Sequence, residues 1–490
     1  MTPLRRLRRA AIDVEPLRHA DFRRLWLGNS LGFIGFQLTA VAVPVQVYEL
    51  TGSSFWVGML GLVGLVPLVM FGLWGGAVAD AVDRRLLLLG SSLTLWGCTG
   101  GLLVAALLEL ASLPLLLGLV AVQAAGFAVA SSTRGAIVPR VLPVPLVPAA
   151  NTLSFTASNV GMVLGPLLAG LILARWSFAA AYAADFVVFT IALYAALRLP
   201  ALPPAGAAIT PGLRSVVDGL AFIVTRPVLL LSFAVDIVAM VLAMPRALFP
   251  ETAEQLGGRG AVGWLYAAIA GGAVLAGLSS GWVGRVRRQG VALVAAVVAW
   301  GLAVAAAGLA RSLWVIVALL AVAGAADLVS AVYRQTILQT YAPDEMRGRM
   351  QGVFIVVVAG GPRLGDLRAG AAAAAFGVTA SWVGGGLLAA VLVAFALSPS
   401  PCWSRPCATT TPVPRFRPTS AIACSGRVEP EAPNGSAPAR GDESGDYRSP
   451  TAGPRRPGRP RQAAGPGRRR PRRPLPRGRG TRRPPRGPGR

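Results

Sequence analysis

The stretch GGAVADAVDRRLLLLG, residues 75–90, decides the fold of this chain because it is a short charged turn between two long apolar runs. A glycine pair ends the first run, and two aspartates, Asp80 and Asp83, precede the arginine pair at positions 84 and 85. A loop of this length cannot form a soluble domain, and its charges do not belong in hydrocarbon. We interpret it as a tight cytoplasmic connection between two membrane-spanning helices.

The composition of the whole chain indicates a polytopic membrane protein. Hydrophobic residues make up 54% of the 490 residues and charged residues only 14%. The apolar segments are hydrophobic on all sides, whereas helices of a soluble protein of this length would be apolar on one side. Twelve such runs are present, at about 25–49, 55–79, 86–108, 113–133, 149–174, 178–199, 227–249, 261–284, 290–310, 313–336, 349–371 and 374–397.

Six runs, a proline-rich break and six further runs predict an all-α membrane protein with twelve transmembrane helices in two six-helix bundles. A weak second copy of the charged turn, a basic turn at residues 277–288, falls between helices eight and nine. The predicted organisation is a cytoplasmic N-terminal segment (1–24), an N-terminal bundle (25–199), a cytoplasmic connection with an amphipathic helix (200–226), a C-terminal bundle (227–397) and a disordered tail (398–490).

The arginines predict the orientation, because basic residues concentrate in cytoplasmic connections. With the N-terminus inside, the inner connections carry Arg84, Arg85, Arg134, Arg140, Arg198, Arg214, Arg226, Arg285, Arg287, Arg288, Arg347 and Arg349. The outer connections carry only Arg175, Arg246, Arg259 and Arg311. We therefore expect a multi-pass protein of the cell (inner, cytoplasmic) membrane with both termini in the cytoplasm.

The residue inventory argues against an enzyme or a cofactor site. All 47 basic residues are arginine, so the chain lacks the Gly-Lys pair of a Walker A loop and any Schiff-base lysine. One histidine and four dispersed cysteines give no zinc or iron–sulfur ligand pattern. We expect no catalytic residues, no metal and no cofactor, with an ion gradient as the energy source.

The tail accounts for most of the net charge of +26, because residues 399–490 contain 21 arginines against 5 acidic residues. Its charge is therefore not taken as a sign of a nucleic-acid partner. The tail has too few apolar residues to fold. Two explanations stay open: a cationic segment attracted to anionic lipid, or a shifted reading frame near residue 398, since GC-rich DNA read out of frame yields Arg, Pro, Gly and Ala.

The charged turn resembles the loop between helices two and three of the major facilitator superfamily. The shared pattern is a glycine, an aspartate four residues later and an arginine pair, here Gly76, Asp80, Arg84 and Arg85; two of the intervening residues depart from it. The resemblance implies a cytoplasmic gate, in which the carboxylate meets arginines and a helix N-terminus and holds the bundles together while the outside is open. The alternative is that the arginines only fix topology.

Helix five carries a glycine–proline pattern that has two explanations. Small residues four apart allow close helix packing, and a proline kinks the helix. The same pattern resembles the antiporter signature of proton-coupled exporters in the superfamily. Its residues are Gly161, Gly165, Pro166 and Gly170.

Six charged residues fall within or near apolar runs. A charge at mid-bilayer costs about 2.5–3.5 kcal/mol on insertion scales, so each needs a partner, a water-filled cavity or a functional role. Arg363 and Asp366 share a helical face and either pair with each other or line the pathway. The candidate coupling or pathway residues are Asp185, Asp236, Asp327, Arg334, Arg363 and Asp366.

Three stretches, MPRALFP (244–250), MRGRMQGVF (346–354) and PRLGD (362–366), resemble the enterobactin exporter branch of the superfamily. The resemblance covers about residues 20–397. It implies a secondary exporter that moves a siderophore or an amphiphilic drug-like molecule by alternating access and proton antiport, and we expect it to function as a monomer in the bilayer. A facilitative transporter without coupling is the alternative.

Overall fold

The computed structural model describes residues 13–200, 220–286, 288–341 and 347–397. All regular structure in these ranges is helical. Most of the predicted amphipathic segment (200–226) and the whole tail (398–490) lie outside the described residues, as do the side chains of residues 73–81.

Six long helices form the first half of the described chain. Because they are apolar on nearly all sides, they suit a lipid surface rather than water. α1 packs on α5 and α6, α3 packs on α4 and α6, and α2 packs on α4. The bounds are α1 (Ala20–Thr51), α2 (Ser54–Ala81), α3 (Arg84–Leu107), α4 (Leu113–Val141), α5 (Val147–Arg175) and α6 (Phe178–Leu197).

The second half of the described chain contains six more long helices, which confirms the twelve-helix prediction. α9 packs on α10 and α12, α8 on α10, and α7 on α11 and α12. Eleven spans in the described part of the chain are long and apolar enough to cross a membrane; the twelfth, α11, is 30 residues long and carries charges in its middle. The bounds are α7 (Pro227–Ala243), α8 (Arg259–Leu278), α9 (Gln289–Leu309), α10 (Leu313–Tyr341), α11 (Arg347–Phe376) and α12 (Val378–Leu397).

The two halves meet where α2 runs along α11 and α5 runs along α8. Glycines make both contacts close: a Cβ atom at Gly61 would lie 2.7 Å from the carbonyl oxygen of Arg363, and one at Gly170 would lie 2.8 Å from Cα of Gly263. No side chain fits at such distances. The small residues therefore set the approach of the halves.

The sequence predicts one apolar helix over 227–249, but the structure interrupts it. α7 ends at Ala243, a 3-10 turn spans Arg246–Leu248, and a short helix covers Phe249–Leu256. The cause is Pro245, which has no N–H to offer the carbonyl of the preceding turn. Arg246 therefore lies in a helical segment, Pro227–Leu256, that is long and apolar enough to span a membrane, whereas the sequence predicts that it lies in an outer connection.

A half-buried arginine replaces the donors that the break removes. Arg368 on α11 donates from Nε to the carbonyl oxygen of Val241 at 3.2 Å and from its terminal nitrogens to those of Leu242 and Ser381. The carbonyl of Val241 is the one that Pro245 leaves unpaired. Arg368 thus stabilises the break from the neighbouring helix.

The charged turn is shorter than the sequence predicts. α2 continues to Ala81 and α3 begins at Arg84, so the glycine pair belongs to a helix and only two residues form the turn. Asp83 caps α3 by accepting a hydrogen bond of 2.8 Å from the backbone N–H of Arg85. Its counterpart in the second half is a 3-10 turn, Ser280–Arg285, between α8 and α9.

Candidate transport cavity

Two adjoining chambers of about 320 and 350 Å3 lie between the two halves. They share Gln37 and Leu60 from the first half and Arg246 and Asp366 from the second. The first half contributes α1, α2, α4 and α5 to the walls, and the second contributes α8, α10, α11 and the turn that breaks the seventh span. The cavity thus depends on both halves.

The two halves give the cavity different chemistry. The first half supplies aromatic rings and amides, which include Phe33, Phe36, Gln37, Gln123 and Phe127. The second half supplies the ionisable groups, Arg246, Tyr266, Asp327, Arg363 and Asp366. Such a site suits an amphiphilic molecule, because apolar walls bind its body and a few polar groups fix its orientation.

Asp366 lies in both chambers. One carboxylate oxygen, Oδ1, is buried and accepts no hydrogen bond from the described residues, while the backbone N–H of Ala247 donates to the carboxylate. Arg246 is near enough to act electrostatically on both Asp366 and Asp327, and its carbonyl accepts a hydrogen bond of 3.3 Å from Tyr266. The Arg246 guanidinium therefore interacts with two carboxylates in the cavity.

Arg363 lines the cavity rather than forming an ion pair with Asp366. Its Nη1 donates to the carbonyl oxygen of Ala359, one turn earlier on α11, at 3.0 Å. The charges of Arg363 and Asp366 still influence each other. Of the two explanations that the sequence leaves open, the geometry favours the one in which both residues face the pathway.

Asp185 lies inside the first half, one side chain from the cavity. Its carboxylate accepts hydrogen bonds from Thr39 at 2.5 Å and from Thr99 at 3.3 Å. Gly35 leaves room for the Asp185 carboxylate, because a Cβ atom at position 35 would collide with it. Thr39 also lines one chamber, so a single hydroxyl separates Asp185 from the cavity.

Asp236 and Arg334 form an ion pair within the second half. The side chains are only 2% and 8% exposed, and neither lines the two chambers. The pair joins α7 to α10. Each charge thus has the partner that its position in the membrane requires.

The predicted gate residues are only partly within the described side chains. The surroundings of Gly76 and the side chain of Asp80 lie outside the described part of the chain. Arg85 donates from Nη2 to the carbonyl oxygen of Leu197 at 2.8 Å, which ties the turn to the end of α6 in the same half.

The glycines of helix five serve packing on two sides. A Cβ at Gly161 would lie 2.8 Å from the ring of Phe33, and Gly165 packs as closely on Gln37, both on α1. Gly170 meets α8, as described above. Pro166 lines the cavity between these contacts.

A cluster of four polar residues and one aromatic ring joins the halves at one end, and we call it the clasp: Glu49, Ser54 and Phe178 from the first half with Glu251 and Arg259 from the second. Arg259 donates from Nε and Nη2 to the two carboxylate oxygens of Glu49, each at 2.6 Å, and its guanidinium carbon lies 4.8 Å from the centre of the Phe178 ring. Ser54 donates to Glu251. Sequence reasoning missed this cluster, because its partners are about 200 positions apart.

Residues 11–415 match the family model described as transmembrane secretion effector. Enterobactin exporter EntS of Shigella boydii serotype 18 is 31% identical over 348 residues, which cover 69% of this chain and 81% of the relative. EntS of Escherichia coli O139:H28 has the same identity and coverage.

Solved transporter structures share the fold. The nucleoside transporter NupG is 14% identical with a TM-score of 0.66, and the match covers 77% of this chain and 98% of NupG. A bacterial homologue of the lysosomal transporter Spinster, in an inward-facing unoccupied conformation, is 18% identical with a TM-score of 0.60, with coverage of 78% and 95%. At such identity the likeness concerns the fold alone.

Proposed function

Because this chain belongs to the transmembrane secretion effector family of major facilitator transporters, we propose that it exports an amphiphilic small molecule by alternating access, driven by protons. The chain is a multi-pass membrane transporter of small molecules and not an enzyme. The cargo class we propose is a siderophore or a drug-like amphiphile, since the relatives are named as enterobactin exporters. A facilitator without coupling is the rival function.

The observation that carries the proposal is the cavity between the halves, with ionisable groups on one side and aromatic groups on the other. The clasp supports alternating access, because its members come from different halves and its release would separate the halves at that end. The cavity forms within one chain, which supports a functional monomer. The proposed bundles, 25–199 and 227–397, each supply one wall.

Proton coupling needs carboxylates that gain and lose a proton during the cycle. Asp366 is the first candidate, because it lies in both chambers and has an oxygen without a hydrogen-bond donor. Asp327 is the second, because it shares Arg246 with Asp366. Asp185 is the third, through Thr39. Asp236 is the weakest, since Arg334 holds it.

The orientation with both termini in the cytoplasm gains support from the break in the seventh span. With Arg246 inside the membrane, three arginines remain in the outer connections, so the positive-inside bias is stronger. Single cysteines at His19 and Glu109, in a background without the native cysteines, test this orientation. External labelling is expected only at Glu109; external labelling at His19 would reverse the topology.

Transport by purified protein in liposomes tests the function. Vesicles with an imposed proton gradient and no nucleotide should accumulate enterobactin or a fluorescent amphiphilic drug against its concentration gradient. Protein-free vesicles and vesicles treated with a protonophore are the controls. Unchanged accumulation with the protonophore would exclude proton antiport, and transport that is only ever downhill would establish the facilitator.

A further inference from the structure

A groove lies between α1 and α6, at the end of the first half away from the clasp. Its volume is about 250 Å3, and Leu27 and Gly28 of α1 face Ile191 and Ala195 of α6 across it. In the clasp, Glu49 lies near the end of α1 and Phe178 at the start of α6, whereas the groove lies near the start of α1 and the end of α6. Leu27 and Ile191 are 45% and 48% exposed. In a membrane protein, such exposed apolar side chains face acyl chains.

Two arginines lie at the mouth of this groove. Arg24 lies one turn before the wall residues of α1, and Arg198 follows the last residue of α6, with its guanidinium carbon 5.1 Å from the centre of the Tyr194 ring. Arg24 pairs with Asp21 at 3.1 Å. No carboxylate among the described residues pairs with Arg198. The mouth therefore carries excess positive charge above apolar walls.

Further arginines add to this charge. Arg85 bonds to the carbonyl of Leu197, which is the last residue of α6. Arg134 and Arg24 line a smaller cavity that adjoins the groove. Two guanidinium groups, those of Arg24 and Arg198, thus line the groove, and those of Arg85 and Arg134 contact residues next to it. Apolar walls beneath this positive charge suit an anion with a hydrocarbon tail.

We propose that this groove binds an anionic phospholipid, with the phosphate between Arg24 and Arg198 and an acyl chain along Leu27 and Ile191. A guanidinium donates two parallel hydrogen bonds to a phosphate, which an ammonium cannot do. Basic pockets between membrane helices on the cytoplasmic side suit acidic headgroups, and Tyr194 has the amphipathic ring that is common at the interface. The site needs no transport to be occupied, so it stands apart from the proposed export.

Native mass spectrometry of the purified full chain tests the site. The protein is incubated in detergent with phosphatidylglycerol or with phosphatidylcholine of the same acyl chains, and retained lipid is counted. We expect preferential retention of phosphatidylglycerol and at least a fivefold loss of that retention in the double variant Arg24→Gln/Arg198→Gln. The matched control is Arg175→Gln, which removes an exposed arginine at the opposite end of the first half and should retain lipid as the original chain does.

Three outcomes would overturn the proposal: equal retention of the two lipids, unchanged retention in the double variant, or equal loss in the Arg175 control. Glycerol 3-phosphate, the headgroup without chains, separates a lipid site from a soluble-anion site; displacement of phosphatidylglycerol by an equal concentration of it would also overturn the assignment. If the double variant does not fold, Arg198→Lys replaces it. Arg198→Lys keeps the positive charge but cannot donate two parallel hydrogen bonds to a phosphate. It should lose at least half of the phosphatidylglycerol retention, and full retention would contradict the site.

Discussion

Arg259 and Glu49 make two hydrogen bonds of 2.6 Å to each other across the interface between the halves, from positions 210 residues apart. The two side chains are 41% and 35% exposed, and a pair of this exposure contributes about 0.2–1 kcal/mol. A link of this size biases a conformational equilibrium without locking it. Under the proposed alternating access, this suits an element that opens in every cycle.

Removal of this pair should favour opening at the clasp end. In Glu49→Gln, labelling of a cysteine at Gln37 by an impermeant thiol reagent from outside should rise, by up to about fivefold. The double variant Glu49→Arg/Arg259→Glu restores opposite charges and should return labelling toward the original level. Equal labelling in all three proteins would show that the clasp does not bias the cycle.

Asp366→Asn should abolish proton-dependent export while downhill movement of cargo remains. The amide keeps the shape of the carboxylate but cannot exchange a proton in the physiological range. Asp327→Asn should have a smaller effect, and Asp21→Asn, on the surface, should have none. Concentrative export by Asp366→Asn at the original rate would remove Asp366 from the coupling mechanism.

The buried pair in the second half should matter to stability. Asp236→Ala leaves Arg334 buried without its partner, which costs about 3–5 kcal/mol, whereas Asp236→Leu/Arg334→Met removes both charges and should cost far less. Thermal unfolding in detergent measures both. Asp21→Ala, which breaks the exposed pair with Arg24, is the matched control and should cost less than about 1 kcal/mol. A double variant as unstable as the single one would contradict this account.

Arg368→Met should loosen the break in the seventh span. The carbonyls of Val241 and Leu242 then lose their donors, at about 1–3 kcal/mol for each buried group. Hydrogen exchange should accelerate at the end of α7. Arg363→Met is a useful control, because that guanidinium bonds within its own helix and its loss should leave exchange in α7 unchanged; similar acceleration in both variants would refute the specific role of Arg368.

The cytoplasmic gate stays a prediction from the sequence. Asp80→Asn or Arg84→Ala should leave membrane insertion intact, since total hydrophobicity hardly changes. Either variant should strongly reduce transport, because the charged gate stabilises only one of the two conformations and its loss shifts their equilibrium. Quantitative immunoblots of membranes give the insertion, and the liposome assay gives the transport. Normal transport by both variants would show that these residues only fix topology.

Helix number and the division into halves could be predicted because every span is a long apolar run, and hydropathy depends only on residues close in sequence. The break in the seventh span escaped this reasoning, since the apolar residues around Pro245 and Arg246 dominate the average over a window. The adjacent Pro-Arg pair was nevertheless a usable signal. It combines a missing N–H with a charge that has no place in lipid.

The cavity was predicted less completely than the helices. Asp327, Arg363 and Asp366 could be found because a charge in an apolar run is conspicuous. Gln37 and the aromatic groups were missed because such residues are unremarkable within a helix, and only tertiary packing brings them together. The partners of Asp185 and Asp236 were equally beyond sequence reasoning, since a threonine or an arginine on another helix gives no local sign of the contact.

The charges in the cavity determine how the membrane potential acts on transport. Among the described residues, two arginines and two aspartates line the chambers, so their charges sum to zero while both aspartates are ionised. A neutral site that changes sides does no electrical work, whereas each bound proton adds one charge, worth about 2.3 kcal/mol per 100 mV when it crosses the full field. Under the proposed mechanism, an interior-negative potential would therefore accelerate the step that carries protons inward and leave the outward step with a neutral cargo unaffected.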